Sequence, residues 1–203
     1  MIKKTANFIK KHSAKLALSI VTIGLVGAPM AVKAADTTVS VSVVGVITVF
    51  TTSGTVTLGA LTPDATGVQS TNKDTVTVTT NDSDGYTLTL KDADTTYTLA
   101  SGGDSFAASS GTPASPITLI NNTWGWRVDS LATFGAGPTS VISSAAPSAL
   151  TFAAIPANGT PYTINSAAAE GSEVTEVWYS ARALNTQPSG TYTDLVTYTA
   201  AVI

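Results

Sequence analysis

Three observations predict an all-β chain, an antiparallel β-sandwich of immunoglobulin-like or jelly-roll-like kind with long Ser/Ala/Gly/Pro-rich loops. Short runs alternate threonine with Val, Leu, Ile or Tyr, turn clusters of Gly, Pro, Ser and Asn separate them, and no amphipathic helix of length occurs. Threonine fills 33 of the positions from 35 to 203 and alternates with apolar residues instead of clustering. That is the period of a strand with one face buried.

The first element in chain order reads as an address. Lys3, Lys4, Lys10, Lys11 and Lys15 form a basic region, Leu16 to Val26 is apolar with small residues, and Val32, Lys33 and Ala34 supply a small-residue cleavage site. Residues 1–34 are therefore expected to be a signal peptide. Gly24, Gly27 and Pro29 break the apolar run short of the roughly 20 residues a spanning helix needs, so no membrane span is expected after cleavage.

Residues 35–203 are expected to form a single domain. The strand-like runs are TTVSVSV (37–43), VITVF (46–50), TVTLGAL (55–61), DTVTVTT (74–80), GYTLTLK (85–91), TTYTLA (95–100), WGWRV (124–128), ALTFAA (149–154), VTEVWYSARA (174–183) and TYTDLVTYTAAVI (191–203). Segments 101–116, 135–149 and 155–173 are rich in Ser, Ala, Gly and Pro and are expected to be surface connections. Residues 35–50 read as an N-terminal strand that completes its own sheet, or as an arm that pairs with a neighbour's edge.

Composition narrows the function. Six of the ten basic residues and the only histidine, His12, lie in the signal segment. Residues 35–203 keep four basic residues against thirteen acidic ones, a net charge of −9. Nucleic acid is excluded as an expected partner because a basic footprint is what releases its counterions. There is no cysteine, so the fold must rest on its core and its ladders. Without His or Cys, a serine or threonine nucleophile lacks its usual base, and metals that need imidazole or thiolate have no ligands. Glu170, Glu173 and Glu176, the only glutamates, sit in one short polar stretch rather than across a cleft, so no enzyme is expected.

Two clusters stand out as candidate sites. Trp124 and Trp126, separated by Gly125 and followed by Arg127, form either a ligand platform or, since both indoles and Val128 share one face of a strand, a piece of core. TNDSDGY (80–86), with Asp92 and Asp94 a strand away, reads either as a hairpin turn or as part of a calcium site. Asp82, Asp84, Asp92 and Asp94 are the candidate ligands, calcium being the kind of ion an oxygen-only inventory allows; no other cofactor is expected. Lys73 and Lys91 are the only lysines available for a lysine–asparagine cross-link.

TNDSDGYTLTLKDAD, NTWGWRVD, FGAGPT and VWYSARALNTQPSGTYTDLVTYTA together resemble exported β-rich surface proteins of candidate-phylum and Gram-positive-like bacteria. The layout is more remotely similar to WxL-type cell-surface domains, although Trp124-Gly125-Trp126 and Tyr198-Thr199-Ala200 stand where that pattern has its Trp-x-Leu positions. The resemblance implies a secreted protein at the cell surface whose partners are the cell wall, other surface proteins or further copies of itself. The expected function is structural or adhesive; the alternative is a cell-wall or glycan-binding module assisted by calcium.

Overall fold

The computed structural model describes residues 38–138 and 140–203, so residues 1–34, expected to be a signal peptide, lie outside the described residues. Residues 43–203 form one compact unit. It is all-β, with twelve strands and no helix among the described residues. No helix there is long and apolar enough to cross a membrane.

In chain order the strands are β1 (Ile47–Thr51), β2 (Val68–Thr80), β3 (Tyr86–Asp92), β4 (Leu99–Ser101), β5 (Asp104–Ala108), β6 (Ile117–Thr118), β7 (Thr123–Arg127), β8 (Ile142–Ala145), β9 (Thr151–Phe152), β10 (Tyr162–Ala167), β11 (Gly171–Ala183) and β12 (Val196–Val202). The large sheet runs β1-β2-β11-β7-β5-β4, with β8 added to β2; β10-β3-β12 form a three-stranded sheet and β6-β9 a two-stranded one. Its spine is the antiparallel β2–β11 ladder, from Val68↔Ala183 to Thr80↔Gly171. One pairing departs from the expected antiparallel architecture: β5 runs parallel to β7, so the large sheet is mixed.

Alternation builds the core. Along β2, Val76 and Val78 are buried while Thr77 and Thr79 face outward, and β3 buries Tyr86, Leu88 and Leu90 between partly covered threonines. These meet Val177 and Tyr179 of β11, Ile164 of β10 and Trp124 and Trp126 of β7 in one hydrophobic cluster, which joins the large sheet to the three-stranded one. Each fully buried aliphatic side chain contributes about 1.5–3 kcal/mol over its exposed state.

Several expected boundaries are corrected. Residues 38–43 and 55–61 form no strand. The β2 positions nearest the second run are paired with β8, at Gln69↔Ala145 and Thr71↔Ile142. Residues 55–61 are instead held by side chains: the Asn72 amide donates to the Thr57 carbonyl at 2.7 Å, and Val56, Leu58 and Leu61 pack on the core. Conversely, the segments expected to be loops at 101–116, 135–149 and 155–173 contain β5, β8 and β10. Their Ser and Ala content weakens the local strand signal, but sheet edges of β7, β2 and β3 supply ladder partners.

Candidate functional site

The tryptophan stretch is core. Trp124 and Trp126 keep 3% and 0% of their exposure, with Nε1–H groups that donate to the carbonyls of Tyr97 (3.1 Å) and Ala154 (2.7 Å). The Trp126 ring meets Phe134 in a T-shaped contact with centroids 5.5 Å apart. Neither ring has a free face for a sugar to stack on. Gly125 is required between them, because a Cβ there would stand 2.5 Å from the Ala153 carbonyl oxygen, where β7 is bridged to Ala153 through Trp126.

Arg127 is as buried as its neighbours, at 1% exposure, and it is used internally. Its Nε–H donates to Asp129 (3.0 Å), Nη1 to the Thr151 carbonyl (3.2 Å), and Nη2 to the carbonyls of Phe134, Gly135 and Ala136 (3.0–3.1 Å). The guanidinium thus fastens the 129–136 turn and β9 to the end of β7. Each of its three nitrogens donates to a partner inside the fold, so the side chain expected to contact a ligand is instead spent on internal contacts.

The four aspartates proposed as calcium ligands separate into two places. Asp82 and Asp84 belong to the β2–β3 turn: the Asp84 N–H donates to Asp82 Oδ1 (3.0 Å), the Gly85 N–H donates to the Asp82 carbonyl (3.1 Å), and Gly85 takes φ +86°. These are hydrogen bonds of a turn. Asp92 and Asp94, at the end of β3, join a residue that the sequence reading did not single out, Asp194, which immediately precedes β12. One carboxylate oxygen from each of the three lies within 4.8 Å of the other two.

Each carboxylate of this triad uses one oxygen to hold local backbone. Asp92 Oδ1 accepts the Asp94 N–H (2.8 Å), Asp94 Oδ1 accepts the N–H and hydroxyl of Thr96 (2.6 and 2.8 Å), and Asp194 Oδ1 accepts the Leu195 N–H (2.8 Å). The Oδ2 atoms of Asp92 and Asp194 are buried and have no hydrogen-bond partner among the described residues. Burial pushes the Asp194 carboxyl up to about 6, opposed by the Leu195 amide and reinforced by the charges of Asp92 and Asp94. The Thr96 N–H and hydroxyl hold Asp94 below the usual carboxylate range. Among the described residues these are the His, Cys, Asp or Glu side chains that converge closely enough for one metal ion.

The lysines are engaged elsewhere. Lys73 is ion-paired with Glu176 and lies 5.1 Å from the Trp178 ring centroid. Lys91 donates to the Asn158 side-chain oxygen at 3.2 Å, and the Asn158 amide donates to the Ala93 carbonyl, with no carboxylate among the described residues hydrogen-bonded to either side chain. A cross-link would need such an acid to move the proton, so the pair reads as a polar tether. A partly buried polar contact joins the large sheet to the three-stranded one, where the Tyr179 and Tyr198 hydroxyls meet at 2.6 Å.

No protein-family model, curated protein or solved structure matches this chain.

Proposed function

We propose that the protein is an exported cell-surface subunit of structural or adhesive kind, without catalytic activity, which associates by strand pairing with further copies. The observation that carries the reading is a run of exposed valines ahead of an edge strand. Val39, Val41 and Val43 keep 90%, 89% and 80% of their exposure and alternate with Ser40 and Ser42. Residues 38–43 belong to no strand among the described residues, and the backbone first meets the sheet at Val44 and Val46, which bond Asn81. Extended backbone of this pattern satisfies its N–H and C=O groups by adding to an edge.

An acceptor is present in β1, which pairs only with β2 among the described strands and carries the exposed Phe50 beside a shallow groove reaching Tyr198. The packing of the large sheet on β10-β3-β12 is read here as a β-sandwich of immunoglobulin-like or jelly-roll-like kind. Secretion and a surface location rest on the signal-like residues 1–34 and on the resemblance to exported surface proteins; the partners are then wall components and other copies.

Immunogold electron microscopy of intact cells, using an antibody to residues 43–203, tests the reading. Labelled filaments or clusters that disappear when Val39, Val41 and Val43 are replaced by Ser support it. An even coat unchanged by those replacements favours wall binding, and label confined to the medium overturns surface retention altogether.

A further inference from the structure

We propose that Asp92, Asp94 and Asp194 form a calcium-binding site that locks the β3 end to the start of β12. Two independent observations point to a cation. The first is convergence: an ion with ligands about 2.3–2.6 Å away holds its oxygens no more than about 4.6–5.2 Å apart, and the three carboxylate oxygens lie within 4.8 Å of one another. The second is an unmet need. Asp92 is fully buried, yet its Oδ2 has no hydrogen-bond partner among the described residues, and the buried Oδ2 of Asp194 has none there either.

Buried acceptors are almost always paired, and carboxylates gathered out of water repel one another unless a positive charge joins them. The ion pairs among the described residues are Lys73–Glu176 and Arg127–Asp129, so no described cationic side chain is ion-paired with the triad. The hydrogen bonds already made are those a ligand set requires, because each fixes the orientation of its carboxylate through Oδ1 and leaves the other oxygen free. Oxygen-only ligands with one exposed member, Asp94, suit a hard ion that keeps part of its water. The site also explains a structural arrangement: Ala93 N–H donates to Leu195 O at 2.9 Å, so the ion would sit beside the point where β3 and β12 begin to pair. This inference does not depend on self-association.

The test is calcium titration of the chelator-treated purified chain by calorimetry, with thermal unfolding in parallel. The expected result is one saturable site and a midpoint raised by about 5–10 °C when calcium exceeds Kd about 100-fold. Asp194→Asn should abolish binding while raising the midpoint in chelator, since it removes one of the crowded charges. Asp94→Asn, at an exposed position, should weaken binding without loss of fold, and Asp82→Asn should leave it unchanged. Absence of saturable binding overturns the proposal, as does binding that survives both Asp94→Asn and Asp194→Asn. A pH-dependent midpoint that ignores calcium would instead assign the triad to a shared proton.

Discussion

Replacing Arg127 by Ala is expected to cost about 3–5 kcal/mol, the range for removing one member of a buried charged network. The figure can be built from the contacts. The Phe134 carbonyl, the one acceptor in fully buried surroundings, is orphaned at about 1–3 kcal/mol. Gly135, Ala136, Thr151 and Asp129 are partly wet, and each lost contact adds about 0.5 kcal/mol. For a chain of this size the loss lowers the unfolding midpoint by about 6–20 °C. Arg127→Lys keeps the charge but not the planar fork, so it should recover less than half of the difference. Urea unfolding followed by tryptophan fluorescence measures all three proteins. A loss below about 1 kcal/mol for Arg127→Ala would falsify the fastening role and return Arg127 to the residues free to contact a ligand.

Two further outcomes follow from the same packing. Gly125→Ala should destabilise by about 1–3 kcal/mol, because its methyl must displace the Ala153 carbonyl or the side chains of Phe152 and Ser109; an unchanged urea midpoint would show that β7 and Ala153 are not in contact. Near-ultraviolet titration should find Tyr86, Tyr179 and Tyr198 still protonated at pH 10, Tyr86 ionising near 12. Burial raises all three, with Glu173 adding to Tyr86. The sign is that of a raised acid: this stability is complete below the unfolded value of 10, and is lost as pH rises through the folded values. Ionisation of all three at pH 10 with the fold intact would contradict it.

How far the sequence could be read depended on whether a residue's role was local. β3 and the outer half of β2 were legible because Thr and apolar residues alternate there without interruption. The first half of β2 was not, since Val68-Gln69-Ser70-Thr71 reads as polar connection. In the structure Gln69 and Thr71 are buried because both bond the Ser180 hydroxyl on the neighbouring strand, at 2.9 and 2.8 Å. A polar residue can be interior when a distant strand supplies its partner. β10 carried a faint signal in Tyr162 and Ile164, which share a face, but the Ala/Ser run after it concealed the strand.

The candidate sites divide in the same way. Period-2 geometry places Trp124 and Trp126 on one face, and the apolar character of that face already favours a core. Nothing local marks Arg127 as interior, because its acceptors are backbone carbonyls that any residue could provide. Asp92 and Asp94 were visible as an acidic pair, but Asp194 reaches them only because β12 pairs antiparallel to β3, with Val196 opposite Asp92.

From the sequence alone come the strand-forming character, the acidic composition after residue 34 and the lack of His and Cys in that portion, all properties summed along a chain. Tertiary structure decides which strands neighbour each other, that β5 joins in parallel, that an arginine is interior and that three aspartates converge. The physical reason is that hydrophobic period is encoded within a few residues, whereas a ladder partner, a buried charge's acceptors and a ligand set are each completed by residues far away along the chain.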